Sequence, residues 1–416
     1  MTVRRRSVIT GIGVVAPTGI GVTEHWKHTL ERVCRIGPIQ EFDTSKLPSP
    51  LAGRVTGFDE NASVESKLRV QTDRWTWMAL AAGRLAFEDA ALDPHRHDPF
   101  ELSVVTASAS GGNAFGQREI HNLWSKGPSA VTAYQSIGWF YAASSGQLSI
   151  RDQLKGACGV LVADGAGGVD ALAQARRLIA RGTGAVVVGG TEAPLSPYAM
   201  ACQANRATLS RDPEPATAYR PFAADSPGYV PGEGGAMLVV EDAEWAARRG
   251  APAPYAEVLG TASTHDAHHP TQPAPDHRQL ARAIREAVAR AGLTPDQIDV
   301  VFADGAGDPL LDRRESDALV EVFGRRAVPV AVPKSATGRL CSGGAALDLS
   351  WAALALAHNT VPPSVNLTAR PGDDLELVTA ARENAGLRTA LVVARGEGGF
   401  NSAAVLGLPE SGRRTL

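Results

Sequence analysis

Around residue 165 the chain has the form of an elbow built for a reactive side chain. Gly159-Val160-Leu161-Val162-Ala163-Asp164-Gly165-Ala166-Gly167-Gly168-Val169-Asp170-Ala171-Leu172 runs from an apolar strand, through a turn of small residues, into a helix. Such a turn exposes a side chain at a sharp bend, beside a helix N-terminus that lowers a thiol pKa. Gly165 stands at the turn and has no side chain to use either aid.

The other chemical groups are scattered. Cys34, Cys158, Cys202 and Cys341 form no C-x-x-C pair, which argues against a disulfide framework or a zinc site and fits a reducing cytoplasm. Cys158 and Cys202 are expected to be core thiols. His265, His268 and His269 lack a carboxylate-rich frame, so a loop role is expected rather than a metal. Gly232-Glu233-Gly234-Gly235 lacks the Gly-Lys-Ser/Thr ending of a phosphate loop.

The elements that must position these groups alternate. Apolar β-branched runs occur at Val8–Val15, Leu102–Thr106, Gly159–Val162, Ala185–Val188, Ala236–Val240, Val300–Ala303, Val328–Val332 and Thr389–Ala394. Helical periodicity appears near Thr23–Val33 and at Trp75–Asp89, Gly168–Arg181, His277–Ala291 and Ala345–His358. Thr294-Pro295-Asp296-Gln297 carries a helix-start signature. The alternation predicts an α/β architecture with buried sheets. The order of elements is similar in two halves, residues 1–250 with the elbow and residues 251–416, with the break near Arg249–Pro254. The loop Asp266–Pro275 is expected at the surface or at the mouth of a site.

Bulk composition excludes several classes. In 416 residues, 41 basic and 44 acidic side chains are interspersed, so no nucleic-acid partner is expected. No apolar run reaches the roughly 18 residues of a membrane span. Arg4-Arg5-Arg6 and the apolar residues after it could pass for a twin-arginine export signal, but that stretch is short and Gly-rich and reads as a first buried strand.

Four motifs together resemble the condensing enzymes, the thiolase-fold ketosynthases. They are Ile9-Thr10-Gly11-Ile12-Gly13-Val14-Val15-Ala16-Pro17, the run from Pro221 to Gly235, Pro333-Lys334-Ser335-Ala336-Thr337-Gly338-Arg339, and Gly396-Glu397-Gly398-Gly399-Phe400-Asn401-Ser402-Ala403. The resemblance implies a duplicated thiolase fold, a five-layer αβαβα sandwich. Active members carry Cys at the elbow and His in two later loops. Here those positions hold Gly165, Asp304 and Arg339. A neutral imidazole pair donates to a developing enolate oxygen; an ionised Asp304 would repel it, and Arg339 cannot act as an acid or base near pH 7.

The set looks like the chain-length factors, the non-catalytic β subunits of type II polyketide ketosynthases. Phe302-Ala303-Asp304-Gly305-Ala306-Gly307, Tyr229-Val230-Pro231-Gly232-Glu233-Gly234-Gly235 and Leu123-Trp124-Ser125-Lys126-Gly127-Pro128 are typical of that branch. Typical members place Gln at the elbow, and Gly165 departs from them. The resemblance implies a heterodimer with a catalytic ketosynthase α subunit, traffic with an acyl carrier protein, and a tunnel for the growing polyketide chain. It implies no cofactor, no metal and no membrane. Asn113, Gly116 and Ile120 are expected on the tunnel face of one helix, with the small Gly116 and the non-aromatic Asn113 and Ile120 leaving a longer or differently shaped tunnel. Lys334, Glu397 and Phe400 are expected to be structural, with Lys334 paired to Asp304 or Glu397. The alternative is an enzyme in its own right, an atypical ketoacyl synthase or malonyl decarboxylase.

Overall fold

The computed structural model describes residues 5–368 and 372–414. Arg4 of the arginine run lies outside them; Arg5 pairs with Asp242, and Arg6 with Glu257 and Glu410. The main strands are β1 (Ser7–Ala16), β2 (Leu102–Ala107), β3 (Cys158–Leu161), β4 (Ala185–Glu192), β5 (Gly234–Asp242), β6 (Ala256–His265), β7 (Val300–Phe302), β8 (Pro329–Ala331), β9 (Thr389–Gly396) and β10 (Phe400–Gly407). The longer helices are α1 (Val22–Leu30), α2 (Arg74–Asp89), α3 (Asn113–Lys126), α4 (Ala143–Arg151), α5 (Gly167–Ala180), α6 (Pro197–Ala204), α7 (Arg278–Arg290), α8 (Pro309–Phe323) and α9 (Ser342–His358).

Strand order shows the duplication directly. One half runs β1-β5-β4-β2-β3 and the other β6-β10-β9-β7-β8. In each, the first three strands are antiparallel neighbours and the last three are parallel. The halves touch edge to edge through Val8 opposite Glu257 and Ile9 opposite Ala256. Helices α2 and α4 cover the outer face of one sheet and α7, backed by α8, that of the other. Helices α5 and α9 lie between the sheets, which makes the five layers of the thiolase fold.

The central layer explains the composition of α9. Every residue from Ser342 to Ala357 is buried. A helix enclosed on all sides must be apolar all round and small where it meets another backbone. Hence the run Gly-Gly-Ala-Ala-Leu and, across from it, Gly168, where a Cβ would lie 2.5 Å from Ala346 N.

Strands β6 and β10 were not legible as apolar runs, because polar residues such as Thr261 and Ser263 in the one and Asn401 and Ser402 in the other interrupt them. The signature at Thr294 closes only a short 3-10 turn, Pro295–Gln297, with Gln297 accepting from the Thr294 N–H at 2.9 Å. No helix among the described residues is long and apolar enough to cross a membrane.

Candidate functional site

The turn after β3 enters α5 through Asp164, whose φ of +46° is a left-handed conformation that non-glycine residues rarely adopt. Two contacts hold that turn. The Ser342 hydroxyl at the start of α9 donates to Asp164 O at 2.8 Å, and the Glu397 N–H donates to Asp164 Oδ2 at 2.8 Å. Gly165 is buried, and a Cβ built on it would lie 2.4 Å from the carbonyl oxygen of Arg395 and 3.4 Å from Arg339 Nη2.

Asp304 and Arg339 meet beside it. Arg339 Nη1 donates to Asp304 Oδ2 at 3.0 Å and Nη2 to Oδ1 at 3.1 Å. Nη1 also reaches the carbonyl oxygens of Asp304 (3.1 Å) and Gly305 (3.2 Å), and the Arg395 N–H donates to Asp304 Oδ1 at 3.2 Å. Burial alone would push the Asp304 carboxyl up; Arg339 and then Lys334 outweigh it and hold it below the usual carboxylate range. For Arg339 burial acts to lower the pKa, and the Asp304 charge outweighs that and locks the guanidinium in its charged form. The result is a self-neutralised cation–anion pair, with neither partner free to shuttle a proton.

The loop carrying Asp304 is suspended from two buried carboxylates of α8. Glu315 accepts from the N–H groups of Asp304 (2.7 Å) and Gly305 (3.0 Å). Asp312 accepts from the N–H of Gly307 (3.1 Å) and of Phe222 (2.8 Å). Burial pushes Asp312 up to about 8, and burial with the Asp304 charge pushes Glu315 up to about 7.

Lys334 is not the partner of Asp304 or of Glu397. Its Nζ lies 2.5 Å from Asp348 Oδ2, and both side chains are almost wholly buried. Asp348 is a lone carboxylate inside the apolar helix α9; a charge there must be matched, and that signal was available in the sequence. Glu397 instead pairs with Arg206, just beyond α6, at 2.7 Å. Phe400 meets His265 edge-on, ring centroids 4.8 Å apart.

One cavity of about 460 Å³ is lined by Gly165, Asp304, Arg339, Glu397, Phe400 and Asn113. Asp266, Thr271 and Pro273 of the predicted mouth loop line it too. The three residues expected on one helix face part company. Asn113, at the start of α3, reaches the cavity; Gly116 is buried beneath Trp139; Ile120 is 49% exposed on a separate open groove. Cys158 and Cys202 are exposed rather than core thiols. Among the described residues Cys158 opens a strand with a neighbour on one side only, and Cys202 lines the cavity from α6. No cluster of His, Cys, Asp and Glu among the described residues could hold a metal ion. His265 and His269 accept from backbone N–H groups of their own loop.

Comparison with known proteins settles the family. Residues 4–246 match the N-terminal domain of beta-ketoacyl synthases, and residues 255–368 match the C-terminal domain. The chain belongs to the beta-ketoacyl synthase family. Within that family it falls among the ketosynthase beta subunits of type II polyketide synthases. It is 47% identical to the tetracenomycin polyketide synthase ketoacyl synthase beta subunit of Streptomyces glaucescens, over 96% of this chain and 97% of that one. It is 45% identical to the actinorhodin polyketide putative beta-ketoacyl synthase 2 of Streptomyces coelicolor, over 96% and 98%. Among solved structures it superposes on the ishigamide ketosynthase/chain length factor with a TM-score of 0.90 at 27% identity, covering 97% of this chain and 99% of that one. One chain of the structure of a type II PKS acyl-carrier protein in complex with its ketosynthase bound to the hexaketide matches with a TM-score of 0.88 at 26% identity, over 98% of this chain and 100% of that one.

Proposed function

We propose that this chain is the chain-length factor of a type II polyketide synthase. It pairs with a catalytic ketosynthase, walls the tunnel into which the poly-β-keto chain grows, and sets where growth stops. The observation that carries this reading is the closed chemistry of the cavity. Gly165 is capped by the Arg395 carbonyl, and Asp304 and Arg339 are spent on each other. An elbow without a nucleophile, beside a locked cation–anion pair that leaves no neutral imidazole to donate to a developing enolate, cannot run a decarboxylative condensation. The catalytic cysteine must then come from the partner, whose carrier protein delivers the malonyl units.

Two surfaces support the pairing. Strand β3 ends its sheet, so one row of its backbone groups has no strand beside it among the described residues. Trp124, Trp139, Phe140, Ile150 and Val162 are exposed, more large apolar area than a solitary subunit favours. Asn113 inside the cavity supports a tunnel that passes the start of α3. The division near Arg249–Pro254 agrees with the repeated strand order. Four free cysteines support a reducing cytoplasm.

The test is intact-protein mass after incubation with malonyl- and acyl-carrier protein, with and without the catalytic subunit. Label on the partner alone, with extension only when both chains are present, is the expected result. An acyl adduct on this chain would overturn the reading.

A further inference from the structure

The helix α3 lacks aromatic side chains at Asn113, Gly116 and Ile120, which by itself suggests an open channel along that face. The space above Gly116 is not open. A Cβ at residue 116 would lie 3.1 Å from Cδ1 of Trp139 and 3.8 Å from its Nε1. The indole belongs to the segment after α3, and it stands where a large side chain of the helix would stand.

Trp139 is held there by its backbone. Gly111 and Gly112, just before α3, form a notch that receives residues 138 and 139. A Cβ at Gly111 would lie 2.7 Å from Trp139 O, and one at Gly112 would lie 1.9 Å from Gly138 O. Gly111 has φ +63°, which also favours glycine there. The Gly112 N–H donates to Trp139 O at 3.3 Å, and the Tyr141 ring leans on the indole with centroids 5.7 Å apart. Three glycines within six residues thus form a seat for one tryptophan. The indole is nonetheless 45% exposed in the isolated chain, and its neighbour Phe140 is 52% exposed. Ile120 lies one turn beyond Gly116 on the same helix face and is 49% exposed. So the face that Trp139 caps continues onto surface this chain does not cover by itself.

We propose that Trp139 is the specificity-determining residue that limits chain length at the turn of α3 carrying Gly116, standing in for the bulky side chain the helix lacks. This rests on the tunnel reading above. A growing acyl chain that leaves the cavity at Asn113 along α3 meets the indole before it meets any side chain at residue 116. The glycine notch fixes the backbone that carries the ring, and the Tyr141 ring and the turn at Gly116 flank the indole itself. A large residue at 116 would have to displace Trp139 before it narrowed anything.

The experiment uses the reconstituted heterodimer with malonyl-carrier protein and compares product lengths for two variants of this chain. Trp139→Ala is expected to lengthen the main product by one or more ketide units. Asn113→Trp, inside the cavity, is expected to shorten it. If Asn113→Trp shortens the product while Trp139→Ala leaves its length unchanged, the Trp139 proposal is wrong and the tunnel reading stands. If neither variant moves the length, the tunnel reading fails and takes the proposal with it. Should Trp139→Ala fail to co-purify with the partner, Trp139→Leu keeps an apolar contact and is scored in its place by the same criterion.

Discussion

The carbonyl oxygen of Arg395 occupies the space that a side chain at Gly165 would need, 2.4 Å from the position of its Cβ. The elbow is therefore closed by backbone, which a neighbour's rotamer change cannot clear. Gly165→Cys should cost about 1–3 kcal/mol through overpacking and should take no acyl group from a carrier protein. Denaturant unfolding and intact mass check this. A stable variant that becomes acylated would show that the elbow was merely missing its thiol.

Arg339 and Asp304 should behave as a unit. With its side chain 3% exposed, Asp304 would be left as a buried charge in Arg339→Ala, at a cost of about 3–5 kcal/mol. Asp304→Ala combined with Arg339→Ala should recover part of that loss, because no unpaired charge remains. A double-mutant cycle in urea gives the coupling. Additive losses would mean that the pair contributes little beyond packing.

The buried carboxylates of α8 predict an unusual pH profile. Asp312 titrates at about 8 in the fold and Glu315 at about 7, both raised above the ordinary range near 4. The folded state thus binds these protons more tightly than the unfolded chain does. Their contribution to stability is complete below about pH 4 and is lost as pH rises through about 7 to 8. Melting temperature should fall between pH 5 and 8 through these groups, and the fall should be shallower in Asp312→Asn. An unchanged slope in that variant would assign the pH dependence elsewhere.

The last described residue ties the two halves together. Arg414 donates to Thr10 O at 2.9 Å and to Asp89 Oδ1 at 3.1 Å, and its guanidinium lies 4.1 Å above the Tyr255 ring. Thr10 and Asp89 belong to one half and Tyr255 opens the other. Arg414→Ala should lower stability by about 1–3 kcal/mol, with Arg414→Lys recovering less than half because it lacks the planar fork. Calorimetry of the two variants measures it, and equal melting temperatures for wild type and Arg414→Ala would exclude a structural role for the tail.

Much of the architecture was legible because it is local. Most β-branched runs became strands within a residue or two of where the sequence placed them, though the run at Ala185–Val188 extends to Glu192, and α9 followed from a largely apolar stretch that ends at Asn359. The loss of chemistry at Gly165, Asp304 and Arg339 is likewise a matter of residue type and motif. Strands β6 and β10 were hidden by polar residues that face other parts of the chain, such as Ser263 and Ser402 with their shared bonds to Asp170.

By itself, then, the sequence determined the α/β alternation, the family and the missing nucleophile, since each depends on residues close along the chain. Tertiary structure alone decided that Lys334 answers Asp348, that Glu397 answers Arg206, that Cys158 and Cys202 face outward, and that Trp139 fills the room above Gly116. The physical reason is range. A charge takes the nearest opposite charge in space, and a gap takes the side chain that packing brings to it. Neither depends on separation along the chain, so neither can be read from periodicity or motif spacing.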